Sequence, residues 1–192
     1  MRVISGKARG TKINTIESMT TRPTLDRVKE SLFNILQSRI LNAKVLDLFA
    51  GSGALGIEAL SRGAEKAIFC DNNAQAAKII KENLIKTKNE NSGIVFNKDY
   101  RKCLRILQEN KECFDLIFLD PPYKENIAID AVKLIIENKI LDKDGIIVIE
   151  TDEAERELKQ LEAQKDIVEI VDKRKYGRAN LIFVKERKKE EN

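Results

Sequence analysis

Short, continuous apolar runs alternate with helical patterns along most of this 192-residue chain. Apolar strands without polar alternation are typical of a parallel sheet that is covered by helices on both faces. A last pair of apolar segments, joined around Tyr176-Gly177, predicts an antiparallel hairpin at the end of the sheet. The predicted strands are 45–49, 67–70, 94–96, 114–119, 146–149, 167–171 and 181–184, and the predicted helices lie near 53–62, 73–86, 100–110 and 127–138. We therefore predict one α/β domain with a mostly parallel, seven-stranded sheet.

The N-terminal residues differ from this pattern in both structure and charge. Residues 2–5 and 11–14 predict the two short strands of a small β-hairpin, and Pro23-Thr24 opens a helix. Residues 1–30 carry seven basic and three acidic side chains, which accounts for the whole formal net charge of +4. A cationic segment on a neutral body is typical of a protein that binds a polyanion, and a solvated basic surface is the alternative. The predicted organisation is a basic hairpin or arm at 1–22, the α/β domain at 23–185 and a charged tail at 186–192.

Composition excludes several classes of protein. No apolar run approaches the ~18 residues that a membrane span requires, and the opening MRVISGKARG lacks the apolar stretch of a secretory signal. The three cysteines, at positions 70, 103 and 113, have no metal-type spacing and fit a reducing, cytoplasmic location. The chain contains no histidine, which excludes histidine metal ligands and a histidine general base. We expect neither a bound metal nor a membrane contact.

A glycine-rich loop follows the first predicted strand. Residues 51–56 read G-S-G-A-L-G, a complete G-x-G-x-x-G pattern between a strand and a helix. The first two glycines allow a tight turn and close approach of a ligand, and Gly56 allows the helix to pack closely on the sheet. Asp71 ends the next strand, 20 residues after Gly51, where a carboxylate can bind the hydroxyls of a ribose. The pattern predicts a Rossmann-like sheet that binds an adenosine-containing cofactor.

Asp47 favours one class of adenosine cofactor over another. It lies four residues before Gly51 and would face the ligand, where it would repel the pyrophosphate of NAD. S-adenosyl-L-methionine instead carries a sulfonium and an ammonium cation, although a loop hydrogen bond is the simpler role for Asp47. Asp99 follows the third strand and can accept the adenine amine, cap the next helix, or do both. The predicted cofactor-binding residues are Asp47, Phe49, Ala50, Gly51, Ser52, Gly53, Asp71, Asn72, Asp99 and Tyr100.

The fourth strand ends in the tetrapeptide Asp120-Pro121-Pro122-Tyr123. The two prolines fix the backbone and remove two N–H donors, so acceptors dominate the surface that they present. Asp120 and a proline carbonyl can each accept one hydrogen of an exocyclic amine, and Tyr123 can stack on the base, worth about 1–3 kcal/mol. Because these acceptors stabilise charge that develops during attack by the amine, they favour the transition state over the ground state. The tetrapeptide predicts methyl transfer to a base amine, with the proton lost afterwards.

Together these motifs resemble the bacterial 16S rRNA guanine-N2 methyltransferase family (RsmD), within the class I S-adenosylmethionine-dependent methyltransferases. The matching blocks are Arg2-Val3-Ile4-Ser5-Gly6 with Arg9-Gly10, Arg22-Pro23-Thr24 with Asp26-Arg27-Val28, Leu46 to Gly56, Glu58 to Ala64, Asp120 to Tyr123, and Tyr176-Gly177. The N-terminal blocks make the resemblance specific, because the glycine loop and the tetrapeptide are shared across the superfamily. One departure is Asp71, where glutamate is common in the family, which changes the reach of the side chain and not its charge.

The resemblance implies methyl transfer to N2 of a guanine in 16S rRNA, as free RNA or in a small-subunit assembly intermediate, by a monomeric protein. It also implies that the basic N-terminal hairpin and the Arg22 loop help to hold the RNA or close over the site. The RNA-binding candidates are Arg2, Lys7, Arg9, Lys12, Arg22 and Arg27. A DNA adenine-N6 or cytosine-N4 methyltransferase is the nearest alternative, but 192 residues leave no room for a target-recognition insertion. An NAD-dependent oxidoreductase leaves the tetrapeptide without a role, and a noncatalytic RNA-binding protein leaves the cofactor loop unexplained.

Overall fold

The computed structural model describes residues 1–16, 23–122 and 126–188. Within these residues, seven strands form one sheet in the order β3-β2-β1-β4-β5-β7-β6. The strands are β1 (Lys44–Asp47), β2 (Lys66–Asp71), β3 (Gly93–Asn97), β4 (Phe114–Leu119), β5 (Leu141–Thr151), β6 (Val168–Tyr176) and β7 (Ala179–Glu186). The helices are α1 (Pro23–Ile35), α2 (Ala54–Ser61), α3 (Ala74–Lys86), α4 (Tyr100–Glu109), α5 (Ile127–Glu137) and α6 (Ala154–Glu162), with a 3₁₀ turn at Gln37–Arg39.

The sheet has the predicted architecture. Strands β1 to β5 pair in parallel, and the final strands β6 and β7 pair antiparallel with each other and, through β7, with β5. The order reverses between β1 and β4, which are neighbours although two strands and three helices separate them in the sequence. In open α/β sheets, ligands bind beside the carboxyl ends of the strands at such a reversal. The fold therefore locates the site next to Asp47 and Asp120.

Helices cover both faces of the sheet, as the continuous apolar strands predict. One buried cluster joins α1, α2 and α3 to the first face and includes Phe33 against Phe118, with ring centroids 5.8 Å apart. A second cluster joins α4, α5 and α6 to the other face, with Leu104 and Ile135 buried in it. Successive strand residues alternate between the two clusters, as Val45 and Leu46 do. Both faces are buried, so neither shows polar alternation.

The N-terminal segment, residues 1–16, pairs with itself less than predicted. Among the described residues, its antiparallel pairing is a single isolated bridge between Arg2 and Lys12, in place of two strands at 2–5 and 11–14. The reason is that the amides of Ile4 and Ser5 donate to the Glu58 carboxylate of α2, at 2.8 and 3.0 Å, rather than across the hairpin. Its apolar side chains, Val3, Ala8 and Ile13, are buried in the first core cluster. The segment is therefore part of the domain core and not an appendage.

Two further differences lie in the C-terminal third. Helix α6 was not predicted, because its short sequence is mostly charged and only Leu158 and Leu161 give an apolar stripe. Strand β7 extends to Glu186, and the Arg187 amide donates to the Ile167 carbonyl at 2.9 Å, so the sheet reaches into the predicted tail. Within the described ranges, no helix is both long and apolar enough to cross a membrane.

Candidate active site

A cavity of about 1150 Å³ lies at the carboxyl ends of the parallel strands. Its glycine-loop half is formed by the residues that follow β1, β2 and β3, and its proline half by those that follow β4 and β5 together with the β6–β7 turn. The structure brings nearly all described candidates for cofactor binding and catalysis into this one wall: Asp47, Phe49, Ala50, Gly51, Ser52, Asp71, Asn72, Asp99, Tyr100, Asp120, Pro121 and Pro122. The cavity is larger than most small-molecule sites, which span about 300–1,000 Å³.

The glycine loop is shaped by positive backbone angles and by two aspartates. Gly51 and Gly53 have φ of 53° and 78°, which favour glycine, and the Gly51 amide donates to the Asp71 carboxylate at 2.9 Å. A Cβ on Gly56 would lie 2.3 Å from the Phe69 ring, so α2 packs on β2 as closely as predicted. Gly53 was expected to line the cavity but does not, because it is buried at the start of α2 against Ile80.

Asp71 organises the loop as well as facing the cavity. Its second carboxylate oxygen accepts the Asn73 amide at 2.8 Å, and the Asn73 side chain in turn caps α3 by accepting the Gln75 amide. Asp71 is only partly buried, so its carboxylate oxygens keep an open side toward the cavity. An acid that is held by two amides and still reaches the cavity is suited to the two hydroxyls of a ribose.

Asp47 is almost fully buried beneath the loop. One of its carboxylate oxygens accepts the Gly56 amide at 3.0 Å, which is the loop hydrogen bond that the sequence left as an alternative role. Burial raises the pKa of Asp47 to about 7, with a further contribution from the nearby Asp71 and an opposing one from the Gly56 amide. Near neutral pH this carboxyl is therefore divided between its protonated and ionised forms, and a bound cation would favour the ionised one.

Asp120 begins the proline half. Asp120 is exposed toward the open interior of the cavity. Partial loss of solvent around its carboxyl, followed by the charges of Glu150, Asp47 and Asp152, raises the pKa of Asp120 above its ordinary value. Burial also raises the pKa of Glu150, at the end of β5. Pro121 is buried beside Asp120, and Pro122 is exposed in the same wall.

The described cavity wall is acidic. Seven carboxylates line it against four basic side chains: Asp47, Asp71, Asp99, Asp120, Asp130, Glu150 and Asp152 against Lys29, Lys98, Arg101 and Arg178. Such a wall disfavours a pyrophosphate and favours a cationic ligand. The residues present therefore fit S-adenosylmethionine better than NAD.

The far end of the glycine-loop half is aromatic. The rings of Phe49 and Tyr100 lie with centroids 5.4 Å apart, and the Arg101 guanidinium lies 4.6 Å from the centroid of Tyr100. Asp99 caps α4 by accepting the Arg101 amide at 2.9 Å, which is one of the two roles predicted for it. The Phe49 and Tyr100 rings are tilted by 49° to one another, and they give this end of the cavity an apolar wall against which a purine can pack.

The cavity also contains residues that the sequence did not indicate. Glu150 and Asp152 follow the apolar run of β5, in the position that Asp120 has after β4, and the same reasoning would have identified them. Two further groups come from distant segments, and no local pattern placed them at this site. One is Met1, Thr15, Ile16 and Lys29 near the N-terminus, and the other is Gly177, Arg178 and Ala179 in the β6–β7 turn.

One buried side chain joins the N-terminal segment to the glycine loop. Asn83 of α3 donates to the Ser52 carbonyl at 2.9 Å and to the Asn14 carbonyl at 3.0 Å. Its own oxygen accepts the Asn14 amide at 2.7 Å. The segment is held at its other end by Glu58, which also pairs with Lys29 at 3.2 Å and Arg62 at 2.8 Å. The position of residues 1–14 is thus tied to the helices that carry the cofactor loop.

The basic candidates for RNA binding lie on the surface. The described members are all exposed: Arg2, Lys7, Arg9, Lys12 and Arg27. Arg2 forms a 3.7 Å ion pair with Asp26, and the side chains of Lys7, Arg9 and Lys12 have no ion pair with any described residue. Two remaining candidates, Arg22 and Tyr123, lie outside the described residues.

The sheet order, the glycine loop and the cavity at the strand ends define a class I methyltransferase fold. The family described as Conserved hypothetical protein 95 matches residues 1–185. The chain belongs to this family, and its resemblance to the bacterial small-subunit rRNA methyltransferases is confirmed.

Individual relatives match along most of the chain. A Bacillus subtilis protein provisionally named an rRNA methyltransferase is 41% identical over 187 residues, covering 97% of this chain and 100% of that protein. The ribosomal RNA small subunit methyltransferase D of Haemophilus influenzae is 42% identical over 154 residues, which is 79% of each chain. A solved structure of a provisionally assigned methyltransferase from Escherichia coli superposes with a TM-score of 0.78 at 25% identity, over 98% of this chain and 99% of that one.

Proposed function

We propose that this protein transfers a methyl group from S-adenosyl-L-methionine to the exocyclic N2 amine of a guanine in 16S rRNA. The observation that carries the proposal is that Asp120, Pro121 and Pro122 line the same cavity as Asp47 and the glycine loop. An amine held by the first group can therefore meet a methyl donor held by the second. The similarity to the Haemophilus influenzae enzyme supports small-subunit rRNA as the substrate class.

The glycine-loop half supplies the groups that hold the cofactor. Asp71 accepts the ribose hydroxyls, Phe49 and Tyr100 pack against the adenine, and Asp99 accepts its amine. Asp47 and the surrounding carboxylates balance the positive charge of the donor. When bound, S-adenosylmethionine supplies an electrophilic methyl group on a sulfonium.

Asp120 is the residue that positions the amine and accepts its proton. The positive charge of a bound donor would favour the ionised form of Asp120. Its carboxylate then accepts one N2 hydrogen and a proline carbonyl accepts the other, which directs the nitrogen lone pair toward the donor. As methyl transfer proceeds, positive charge develops on the nitrogen, and the nearby carboxylates stabilise it. The raised pKa of Asp120 also makes its carboxylate a suitable acceptor for the proton that the methylated amine loses. No histidine base is required.

The exposed cations of the N-terminal segment hold the RNA around the cavity. Lys7, Arg9 and Lys12 lie on a segment that also contributes Met1, Thr15 and Ile16 to the cavity wall. The target guanine must be unpaired or flipped out to reach Asp120, at a cost of a few kcal/mol when it is stacked in a duplex. The substrate is either free 16S rRNA or a small-subunit assembly intermediate. The protein acts on it as a monomer in the cytoplasm, where its free cysteines stay reduced.

The product identifies the reaction. Purified protein is incubated with methyl-labelled S-adenosylmethionine and, separately, unmodified 16S rRNA, small subunits, DNA, and 16S rRNA that already carries its methyl groups. We expect label only in unmodified RNA or subunits, and N2-methylguanosine after digestion to nucleosides. Label in DNA as methyladenine or methylcytosine would support the alternative amino-methyltransferase. Calorimetric binding of NADH without binding of S-adenosylhomocysteine would contradict the proposed cofactor.

A further inference from the structure

The β6–β7 turn forms part of the cavity wall and has no role in the mechanism above. Its residues Gly177, Arg178 and Ala179 line the proline half. The Tyr176-Gly177 pair was singled out in the sequence as part of a hairpin, and the turn is far from the N-terminal segment in the chain.

The turn is short and fixed in place. Tyr176 pairs with Ala179, which leaves a two-residue loop, and Gly177 adopts a φ of 63° at its first position, as a type II′ turn requires. The Asn180 side chain donates to the Arg178 carbonyl at 3.1 Å and to the Thr151 carbonyl at 3.3 Å. Thr151 lies between Glu150 and Asp152 of the cavity wall. The backbone of Arg178 is therefore tied to the end of β5.

The charge of Arg178 is not balanced within the described protein. Of the basic side chains that line the cavity, Lys29 pairs with Glu58 and Arg101 with Asp130. Lys98 and Arg178 form no ion pair with any described residue, and Lys98 belongs to the glycine-loop half, after β3. Arg178 is thus the unpaired cation of the proline half, and it is exposed. Lys175 of β6 is also exposed and forms no ion pair with a described residue. It pairs with Asn180 of the neighbouring strand β7.

The ligand of this surface must be an anion that comes with the substrate. The methyl donor carries a single carboxylate beside its ammonium group, at the end that Asp47 and the glycine loop would hold, and the base amine is neutral, so neither accounts for an unpaired guanidinium in the proline half. A phosphodiester does, because Arg matches the geometry of phosphate oxygens. We propose that the tip of the β6–β7 hairpin, formed by Lys175, Gly177 and Arg178, binds the RNA phosphodiester backbone next to the target nucleotide. This inference rests on the proposed function and adds a second RNA contact to that of the N-terminal segment.

The test measures RNA binding, cofactor binding and turnover in the same variants. Arg178→Ala should raise the KM for unmodified 16S rRNA about tenfold while kcat and the affinity for S-adenosylhomocysteine stay within about twofold. The slope of log Kd against log salt should fall by roughly 0.7–0.9, the contribution of one phosphate contact. Arg178→Lys should restore the salt slope because it keeps the charge, but only part of the affinity, because an ammonium lacks the bidentate geometry of the guanidinium. Lys175→Ala should have a smaller effect of the same kind.

Lys165→Ala is the matched control, because Lys165 is an exposed cation that precedes β6 and so lies at the opposite end of that strand from the turn. It should leave the KM and the salt slope unchanged. An Arg178→Ala variant with unchanged KM and salt slope would overturn the inference, as would a loss confined to kcat. These outcomes differ from failure of the proposed function, in which the unaltered protein would methylate no rRNA substrate at all.

Discussion

The glycine-loop half of the cavity is built from neighbouring strand ends, whereas the proline half also depends on a turn formed by strands late in the chain. In the first half, Asp47 and Asp71 each accept an amide of the loop that they surround. In the second half, Asp120 follows β4, and the Arg178 turn is held to β5 through Asn180. We therefore expect substitutions in the glycine-loop half to change cofactor affinity, and substitutions in the proline half to change the rate of methyl transfer and RNA binding.

The largest effect is expected at Asp120. The Asp120→Asn variant keeps one acceptor oxygen but loses the charge and the proton acceptor, so kcat should fall about 10²–10³-fold, as for other removed transition-state contacts. The affinity for S-adenosylhomocysteine should change less than about threefold, because Asp120 lies in the proline half. Single-turnover rates and calorimetry measure the two quantities. Asp130→Asn, in the same wall but paired with Arg101, is the control and should lose far less activity. Full activity in Asp120→Asn would remove this residue from the mechanism.

Asn83 tests whether the N-terminal segment supports the glycine loop. Asn83→Ala leaves the Ser52 carbonyl and both polar backbone groups of Asn14 without their partner, and lost buried hydrogen bonds cost about 1–3 kcal/mol. We expect the Tm to fall by roughly 2–12 °C, since each kcal/mol shifts it by about 2–4 °C in a domain of this size. Cofactor affinity should weaken a few-fold. The exposed Asn91 provides the control, and Asn91→Ala should change neither quantity. If Asn83→Ala has normal stability and normal cofactor affinity and only its RNA binding is weakened, the N-terminal segment does not support the glycine loop.

Asp47 should show opposite effects on stability and on binding. Its pKa is raised from 3.8 to about 7, so between these values the folded protein holds a proton that the unfolded chain has released. The free energy of unfolding therefore falls as pH rises through this window. Asp47→Asn removes this cost and can still accept the Gly56 amide, so at pH 8 it should be more stable by on the order of 1 kcal/mol or more. Thermal unfolding at pH 5 and pH 8 measures the difference, which should be clearly smaller at pH 5, because only about a third of the window from 3.8 to about 7 lies below that pH.

The effect of Asp47→Asn on cofactor affinity should be opposite to its effect on stability. A cationic donor favours the ionised carboxylate, so the affinity of the unaltered protein for S-adenosylmethionine should rise with pH up to about 7 and then level off. In Asp47→Asn the affinity should be about tenfold weaker at pH 8, with a flatter pH profile. If the substitution instead weakens the fold and leaves binding unchanged, Asp47 serves the loop alone.

The sequence could predict the cavity residues that lie at strand ends, but not those that long-range contacts position. Asp71 and Asp120 each end an apolar run, and Asp47 lies within the run that leads into the glycine loop. Parallel strands bring such ends to one edge, so local pattern is enough to group them. Glu150 follows the apolar run of β5 in the same way and could have been predicted on the same ground. The rest of the wall depends on contacts with no local signature. Glu58 accepts amides 53 and 54 residues away, and Asn83 accepts one 69 residues away.

These long-range contacts also decide how the RNA-binding prediction can be tested. Deletion of residues 1–14 would remove the buried side chains of Val3, Ala8 and Ile13 from the core and would damage the fold itself. Substitution of exposed charges avoids that problem. Lys7 and Arg9 are suitable because their backbones stay anchored, the first through its amide to the Ser61 carbonyl at 2.7 Å.

The smallest effect is therefore expected from a Lys7→Gln, Arg9→Gln double variant. Each lost phosphate contact should lower the salt slope of RNA affinity by roughly 0.7–0.9, with affinity a few-fold weaker for each at moderate salt. Stability and cofactor affinity should not change, because neither side chain has an ion pair with a described residue and both are exposed. The matched control is Lys102→Gln, Lys159→Gln, which removes two exposed cations from α4 and α6 on the other face of the sheet. Equal slopes for the two double variants would mean that net charge, and not the position of the N-terminal segment, attracts the RNA.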